Sequence, residues 1–524
     1  MDIIFYFAAL LTVTFAIVTS SLAQMHMFQL NSYSATKHVR WMSKNYGMIF
    51  THVISLLFAA DALFPVSEKW QIFVYSLFAV LLAVFGFISI PKKKAKKPLV
   101  FTTRVIRMFV TETVLVALVG VGSYFVYKAT EVRFAIALMF LAYALVPFLI
   151  IVSNFINAPI EAGVRQHYIN DAKKILKSCP DLKIIGITGS YGKTSMKFFL
   201  TTLLKGKYDV LMTPESYNTP MGVVKTIRSS LKGYHEIFVC EMGAKKVREI
   251  DELCRIAGSQ HGIVTSIGPQ HLETFKSVEN VIKTKFELAD YVIKDGGNCF
   301  VNIDNEYIKN NLPKEAVTYG TCDEADYKAE VINVSKAGTA FSVRFPDGEI
   351  VELQSILIGA HNVVNLCGAV AMAHFMGVSP AEIKAQMPKI TAVPHRLQLL
   401  EKGPYTIIDD AFNSNPAGSA AALDTLALFE DFKILVTPGM VELGAKEEEC
   451  NREFGRHAAK VCDYVVLVGK KQTEPIFNGL KDEGYPDEKI YVADSFNEGI
   501  QAAYNVTADR RKIILLENDL PDNY

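Results

Sequence analysis

The pattern of apolar and polar positions divides the chain into two parts. Before residue 155, five apolar stretches alternate with polar segments, and each approaches the roughly 20 residues that a helix needs to span a bilayer. They are Ile3–Ala23, Met48–Val66, Trp70–Ile90, Ile106–Tyr127 and Arg133–Val152. We predict a helical membrane domain over residues 1–155 with about five transmembrane helices, then a linker helix over 156–180. Because Met48–Val66 carries His52 and Asp61, a re-entrant or interfacial helix is the alternative there.

After residue 181, short apolar runs typical of strands alternate with helix-like segments. The strand-like runs are Lys183–Thr188, Glu236–Glu241, Gly262–Ile267, Cys299–Ile303, Thr406–Asp409, Lys433–Val436, Tyr464–Val468 and Lys512–Leu516. This alternation predicts α/β sheets, whereas Asp326–Leu357 is typical of short antiparallel strands. This second part has about 370 residues, which is too many for a domain with a single hydrophobic core of ordinary size. We therefore predict a central domain over 181–394 and a C-terminal domain over 395–524, with the junction near Val393-Pro394-His395.

The basic residues of the first part suggest its orientation. They follow the first and third apolar stretches, at Lys37, Arg40, Lys44, Lys92, Lys93, Lys94, Lys96, Lys97, Arg104 and Arg107. Basic loops stay on the cytoplasmic side of a membrane. Five spans then place the N-terminus outside and the second part in the cytoplasm, as a multi-pass protein of the cytoplasmic membrane. The lysine run can also contact anionic membrane lipid.

Composition narrows the classes of function. The chain has 54 basic and 54 acidic residues and a formal net charge of zero, so charge indicates no nucleic-acid partner. Its eight cysteines include no Cys-x-x-Cys pair, so we predict neither a zinc ribbon nor a disulfide framework.

A glycine-bearing turn between an apolar strand and a probable helix carries the clearest chemistry. It spans Thr188–Ser195 and ends in Gly-Lys-Thr. Glycines let backbone N–H groups approach a polyphosphate, Lys193 supplies charge, and the Thr194 hydroxyl can bind Mg²⁺. The spacing departs from the ordinary phosphate loop, since Ile187 stands where a glycine is usual. We assign to nucleotide binding Gly189, Ser190, Gly192, Lys193, Thr194 and Ser195.

Polar residues also follow several other strands. Glu241 ends an apolar strand, where α/β sheets bind ligands. His271 comes after the next strand, and Lys285 and Glu287 flank Phe286 in a helical stretch. Taken alone, Glu241 is also typical of an ordinary strand-end acid, and His271 is more typical of a loop histidine than of a ligand. Periodicity alone places Lys285 and Glu287 on a solvated helix face.

The ordered set of motifs resembles the Mur ligase family, the ATP-dependent amide-bond ligases of bacterial wall synthesis. Centrally, the matching segments are Thr188–Ser195, Glu241-Met242-Gly243-Ala244, His271, Lys285-x-Glu287, Asn302-x-Asp304 and Gly359-Ala360-His361-Asn362-Val363-Val364-Asn365. Further on they are Pro394-His395-Arg396, Asp409-Asp410-Ala411-Phe412-Asn413-Ser414-Asn415-Pro416 and Gly439-Met440-Val441-Glu442-Leu443-Gly444. The last two are most similar to the MurF type, which adds D-alanyl-D-alanine. The resemblance covers roughly residues 156–470. It implies a Mur-ligase-type central ATP-binding domain and a Rossmann-like C-terminal domain.

The resemblance also implies roles for the residues around the phosphates. Lys193 and the loop backbone would hold the β- and γ-phosphates, and Thr194 would bind one Mg²⁺. Glu241 and His271 would help to hold a second Mg²⁺. Lys285 occupies the position of the family's carbamylated lysine. The implied cofactors are therefore ATP and two Mg²⁺ ions.

Other matching positions surround the rest of the nucleotide. Asn302 would face the adenine, and Asn362 and Arg396 would lie near the nucleotide. Asp409 or Asp410 would close the site from the C-terminal domain. The residues assigned to catalysis are Lys193, Lys285, His271 and Asp409.

Family chemistry implies the function. A substrate carboxylate attacks the γ-phosphate to give an acyl phosphate, and an amine then displaces phosphate to form an amide. The expected partners are a wall-precursor acceptor, an amino acid or dipeptide donor, and other wall-synthesis proteins.

Three departures from the family leave the substrate open. Apolar stretches replace the soluble N-terminal domain that grips UDP, the Asn-Pro signature carries Phe412 and Ser414, and the usual Lys-Gly-Ser stretch near the C-terminus is missing. A lipid-linked acceptor at the cytoplasmic membrane face is one hypothesis. The alternatives are a polymerising ligase of the poly-γ-glutamate type and a non-catalytic nucleotide-binding scaffold.

Overall fold

The computed structural model describes residues 2–61, 68–88, 98–215, 217–411, 415–441 and 443–518. The chain forms two compact units, Met1–His167 and Tyr168–Tyr524. The first consists of helices and the second contains two sheets covered by helices, so the predicted fold class is confirmed.

The helical unit is strongly apolar both inside and outside. Its helices are α1 (Asp2–Leu30), α2 (Ala35–Lys44), α3 (Tyr46–Asp61), α4 (Glu68–Ile88), α5 (Thr103–Ala129), α6 (Val132–Ala144) and α7 (Val146–Lys177). Among the described residues, three helical segments are long and apolar enough to cross a membrane: Tyr6–Leu30, Thr103–Ala129 and Val146–Lys177. Large apolar side chains such as Leu11, Leu118 and Phe125 are exposed on this unit. Such a surface is unfavourable in water and suits a lipid environment.

The apolar stretches do not all become single long helices. The predicted span Arg133–Val152 is wrong, because α6 ends at Ala144 and a new helix begins at Val146. Pro147 explains the break, since it has no N–H with which to continue the hydrogen bonds of α6. The predicted linker helix over 156–180 is the later part of α7. The ends of Met48–Val66 and Trp70–Ile90 and the lysine run lie outside the described residues.

Several polar side chains in the helical unit form contacts between helices. The Ser21 hydroxyl donates to Oε1 of the buried Glu112 at 2.7 Å. Ser20 Oγ lies 2.8 Å from Nε2 of His52, and the His52 ring stacks on Tyr143. These contacts join α1 to α5, and α3 to both α1 and α6. Buried hydrogen bonds of this kind fix which helix faces meet in an apolar unit.

The central part of the second unit is a mixed sheet with helices on both faces. Its strands are β1 (Lys183–Thr188), β2 (Val210–Met212), β3 (Ile237–Glu241), β4 (His261–Val264), β5 (Cys299–Asn302), β6 (Val317–Gly320), β7 (Tyr327–Ser335), β8 (Gly338–Arg344) and β9 (Ile350–Ser355). Its helices are α8 (Lys193–Leu204), α9 (Pro220–Ser230), α10 (Glu249–Ala257), α11 (Leu272–Phe275), α12 (Val278–Lys294), α13 (Glu306–Lys309), α14 (His361–Phe375) and α15 (Pro380–Gln386).

The order of the described strands locates the ligand-binding edge of this sheet. The order is β2-β3-β1-β4-β5-β6-β7-β8-β9; the strands up to β7 are parallel, and β8 and β9 are antiparallel, as Asp326–Leu357 predicted. Ile185 and Ile187 pack with α8 and α14 on one face, while Ile184 packs with α9, α10 and α12 on the other. Strand β1 lies where the order reverses, between β3 and β4. The carboxyl end of a parallel sheet at this point is where α/β folds bind ligands.

A second sheet follows residue 395. It contains β10 (Gln398–Lys402), β11 (Tyr405–Asp410), β12 (Phe432–Thr437), β13 (Tyr464–Val468), β14 (Ile490–Ala493) and β15 (Lys512–Glu517). Its helices are α16 (Pro416–Ala427), α17 (Glu447–Val461), α18 (Glu474–Asp482) and α19 (Phe496–Asn505). The order is β10-β11-β15-β12-β13-β14, parallel except for β10. Helices α16 to α18 cover one face and α19 the other.

We expect the full-length protein to sediment with membranes and to remain there after an alkaline carbonate wash. The long apolar helices and exposed apolar side chains would cost free energy in water, at about 25 cal/mol per Å² of apolar surface. Cell fractionation followed by immunoblotting measures this, with a soluble cytoplasmic protein of the same cells as control. Release of the protein by carbonate alone would contradict membrane-spanning helices.

Candidate nucleotide-binding and active site

The turn between β1 and α8 has a backbone that requires glycine at two positions. Gly189 has φ 154° and Gly192 has φ 79°, both in the region that side chains disfavour. A Cβ atom on Gly189 would lie 2.1 Å from Thr265 Oγ1, and one on Gly192 would lie 2.9 Å from Asn365 Oδ1. The loop is therefore packed tightly against its neighbours, which restrict its shape.

Lys193, the first residue of α8, bends back over this loop. Its Nζ donates to the carbonyls of Gly189 at 2.8 Å and Ser190 at 3.0 Å. Burial lowers the pKa of Lys193 to about 8. An anion at the loop would stabilise the charged form of Lys193 and meet the unpaired N–H groups at the start of α8.

Glu241 stands beside the loop, because β3 pairs with β1 and brings Glu241 opposite Ile187. Its side chain is 1% exposed. Its Oε2 forms an ion pair with Lys197 Nζ at 3.0 Å. Its Oε1 accepts hydrogen bonds from the Thr194 hydroxyl at 3.2 Å and the Asn218 amide at 3.0 Å. The carboxylate therefore joins β3 to α8 and to the segment before α9.

The two charged residues around Phe286 have different surroundings. Lys285 is 1% exposed and borders the same cleft as Lys193. Burial, and then the charge of Lys193, hold the pKa of Lys285 well below its usual range. Glu287 instead accepts hydrogen bonds from the backbone N–H groups of Arg248 at 2.7 Å and Asp251 at 3.0 Å, at the start of α10. Lys285 is therefore a cleft residue and Glu287 a helix cap, so neither is on a solvated face.

The C-terminal sheet contributes to the same cleft. Arg396 Nη2 donates to the Thr194 hydroxyl at 3.4 Å. Asp410 borders the cleft and accepts a hydrogen bond from the Leu397 N–H at 3.1 Å. Burial, followed by the neighbouring charge of Glu517, raises the pKa of Asp410 to about 7. The two sheets therefore border one cleft of about 1480 Å³.

Ten of the residues predicted for the site line this cleft. They are Ser190, Gly192, Lys193, Thr194, Ser195, Glu241, His271, Lys285, Asn362 and Arg396. The fold thus brings together residues that are spread over about 200 positions of the chain.

Three predicted residues do not line the cleft. Gly189 is covered by the segment around Thr265. The Asn302 side chain accepts a hydrogen bond from the Asp304 N–H at 3.1 Å, and Asn305 borders the cleft instead. Asp409 is 7% exposed and pairs with His395 Nδ1 at 2.8 Å, so the wall is formed by Asp410. The assigned roles of these three residues stay predictions.

Sequence reasoning missed Asn218 and Lys197, both of which contact Glu241. Asn218 precedes Thr219-Pro220, a helix-start signal that could have directed attention to this segment. Lys197 follows Lys193 by four residues and therefore shares its face of α8. No local signal distinguishes it from an exposed lysine.

The donors at this edge fit Mg²⁺. Within the described part of the chain, no group of three His, Cys, Asp or Glu side chains converges as a metal cage. Mg²⁺ commonly binds through one or two carboxylates together with substrate phosphates and water. Glu241, with the hydroxyl of Thr194 beside it, supplies the protein's part of such a site.

Comparison with known proteins assigns the two sides of the cleft to two known domains. Residues 187–373 match the Mur ligase middle domain, and residues 395–517 match the Mur ligase glutamate ligase domain. The chain belongs to the Mur ligase family. The Mur ligase middle domain carries the loop, Glu241 and Lys285, and the glutamate ligase domain carries Arg396 and Asp410.

Named relatives share this part of the chain. The UDP-N-acetylmuramoyl-tripeptide--D-alanyl-D-alanine ligase of Bacillus subtilis is 30% identical over 276 residues, which is 52% of this chain and 59% of the relative. The protein with the same name in Escherichia coli is 31% identical over 298 residues, covering 55% and 65% of the two chains. The chain therefore spans about three fifths of the length of these relatives, at 59% and 65%.

Solved structures share the fold. MurF from Acinetobacter baumannii matches with a TM-score of 0.60 at 24% identity, covering 68% of this chain and 77% of that one. MurF from Thermotoga maritima in complex with ADP has a TM-score of 0.58 at 24% identity, covering 68% and 80%. In the Mur ligase motifs of this chain, Phe412, Asn413, Ser414 and Glu442 lie outside the described residues.

We expect Glu287→Ala to lower the thermal stability of the protein and to leave nucleotide affinity within about twofold. Glu287 caps α10 with two backbone hydrogen bonds, and loss of a cap costs about 1 kcal/mol. Thermal unfolding and ADP titration measure the two quantities. The matched control is Asp290→Ala, an exposed acid on the same helix. Unchanged stability, or loss of ADP binding, would contradict the capping role.

Proposed function

We propose that this chain is an ATP-dependent ligase that joins a carboxylate to an amine through an acyl phosphate. The observation that supports it best is the cleft itself. Lys193, the buried Glu241 and the buried Lys285 face one cavity, closed from the other domain by Arg396. Lys193 and Arg396 bring positive charge to the cleft from both sides, which suits a polyphosphate.

The reaction has two steps. A substrate carboxylate oxygen attacks the γ-phosphorus of ATP, the bond to the β-phosphate oxygen breaks, and ADP leaves. The amine then attacks the acyl carbon, the carbon–oxygen bond to phosphate breaks, and the amine gives up a proton as the amide forms. Both reactants of the first step are anions, so the main task of the protein is to offset their repulsion.

Each cationic side chain has a part in this task. Lys193 holds the transferred phosphoryl group, and Arg396 brings a second charge from the C-terminal domain when the cleft closes. Thr194 and Glu241 would hold one Mg²⁺ ion and His271 would help to hold a second, and these ions would neutralise charge on the phosphates. Closure also excludes water, which would hydrolyse the acyl phosphate.

Lys285 is proposed to act as a carbamate. Its amine is buried and its pKa is held well below the usual range, which favours the neutral, nucleophilic form of the amine. Attack on CO₂ forms an N–C bond and releases one proton, which converts an amine into a carboxylate-like group. That negative group would balance the cations around it and help to bind Mg²⁺.

The proposed substrates follow the names of the relatives. The amine is D-alanyl-D-alanine or a similar amine, and the acceptor is a peptidoglycan precursor. The long apolar helices of the first unit motivate a lipid-linked acceptor at the cytoplasmic face of the membrane, where other wall-synthesis proteins act. In this arrangement, Asn362 would help to bind the nucleotide. Asp409 would help to keep the C-terminal domain closed over the site.

We expect phosphate release from ATP that depends on both an acceptor and an amine. The assay uses detergent-purified full-length protein with UDP-linked or lipid-linked muramyl tripeptide, D-Ala-D-Ala and a panel of amino acids. Lys193→Ala should lower the rate by about 100-fold or more, because one transition-state charge is lost. Lys205→Ala, an exposed lysine at the end of α8, is the matched control.

The same assay separates the alternatives. Use of only the UDP-linked peptide would overturn the lipid-linked hypothesis, and products longer than one addition would favour a polymerising ligase. ATP binding without turnover for any pair would contradict the ligase and favour a scaffold.

We expect Lys285 to take up CO₂ in a pH-dependent way. Carbamate forms only from the neutral amine, so the modification and the activity should fall as pH drops through the lowered pKa of Lys285. ¹³C NMR with labelled bicarbonate detects the carbamate. Lys285→Ala should remove the signal, and Lys294→Ala, an exposed lysine on the same helix, should keep it. A wild-type protein without a signal, whose activity does not depend on CO₂, would contradict carbamylation.

A further inference from the structure

Lys197 has no role in the assignments above, although it is among the most buried charged residues of the protein. It lies on α8 four residues after Lys193 and is 0% exposed. Lysine is almost never fully buried unless it is paired. Lys193 bends back to the loop carbonyls, whereas Lys197 points to Oε2 of Glu241, 3.0 Å away.

The two carboxylate oxygens of Glu241 have different partners. Lys197 holds Oε2 from a position that does not border the cleft. Oε1 receives the Thr194 hydroxyl and the Asn218 amide, and both of these residues line the cleft. Oε1 is therefore the oxygen in contact with residues of the cleft, and Oε2 is the oxygen paired with Lys197.

Lys197 also fixes the segment that provides Asn218. Its Nζ donates to the backbone carbonyl of Glu215, between β2 and α9. One ammonium group thus joins α8, the end of β3 and the segment that leads to α9.

Stability alone is a poor explanation for this lysine. Burial lowers the pKa of Lys197 and Glu241 opposes the shift, which reflects the cost of desolvating the charge. A buried ion pair is often no more stabilising than well-packed apolar residues of similar volume. An orienting role toward Glu241 accounts for the charge at this position.

We propose that Lys197 is a positioning residue that holds Glu241 so that Oε1 faces the nucleotide cleft. The inference rests on the proposed function, because Glu241 matters as a metal ligand only if the cleft binds a metal–nucleotide complex. Lys197 itself touches neither nucleotide nor metal.

The experiment measures metal binding rather than turnover. Full-length protein in detergent is titrated with Mn²⁺ in the presence of saturating ADP, and free Mn²⁺ is followed by electron paramagnetic resonance. The variants are Lys197→Met, which keeps the length and removes the charge, and Lys197→Arg, which keeps the charge. Lys205→Met makes the same change at the exposed residue that caps the C-terminus of α8. ADP affinity without metal is measured in parallel.

We expect Lys197→Met to weaken Mn²⁺ binding by about tenfold, which corresponds to 1.4 kcal/mol. Without Nζ, Oε2 is buried with no cation, so the carboxylate turns away from its position at the cleft. Lys197→Arg should restore part of the affinity, and Lys205→Met should equal wild type. Metal-free ADP affinity should stay within about twofold, because Lys193 is unchanged. Wild-type or tighter Mn²⁺ binding by Lys197→Met would overturn the inference.

A double-mutant cycle covers the case in which Lys197→Met folds poorly. Thermal midpoints of the metal-free Lys197→Arg, Glu241→Gln and double variants should be non-additive, since the two side chains are in contact. Additive midpoints would overturn the inference. Wild-type protein that binds no Mn²⁺ with ADP would instead overturn the proposed function, and the cycle would still decide whether Lys197 holds Glu241.

Discussion

The arrangement of the cleft depends on one buried carboxylate, that of Glu241, which requires charged and hydrogen-bonding partners. Glu241 is 1% exposed at the end of β3, and a charge at such depth is tolerated only when cationic and hydrogen-bonding groups surround it. The partners come from α8, through Lys197 and Thr194, and from the segment before α9, through Asn218. The end of the sheet, the phosphate loop and that segment therefore share one arrangement.

Basic side chains also line the cleft around Glu241. Burial lowers the pKa of Lys193, Lys285 and Arg396, because desolvating the charged form of each side chain has an electrostatic cost. A polyphosphate would offset that cost on binding, and a carbamate on Lys285 would offset more of it.

The helical unit obeys a different constraint. Its interior holds polar pairs such as Ser21 with Glu112, while its surface exposes large apolar side chains. This is the reverse of what water favours and is consistent with a bilayer as solvent. Under the proposed function, a ligase joined to membrane helices would be confined to the membrane surface, where the local concentration of a lipid-linked acceptor is high.

The sequence by itself determined the features whose physics is local. Apolar stretches predicted the helical unit, alternating runs predicted the strands with β1 and β13 matching residue for residue, and the glycines of Thr188–Ser195 predicted the phosphate loop. These follow from periodicity and backbone sterics within a few residues. The break between α6 and α7 also has a local cause, Pro147. The prediction missed it because it relied on the length of the continuous apolar stretch.

Only the tertiary structure decided which polar side chains face the cleft. Asp410 rather than Asp409, and Asn305 rather than Asn302, reach it because neighbouring strand residues point to opposite sides and each turn directs its own side chains. Lys197 became recognisable only through Glu241, 44 positions away in the chain and 3.0 Å away in space. Burial, and with it the altered pKa of Lys285, depends on packing between distant elements, which sequence spacing does not encode.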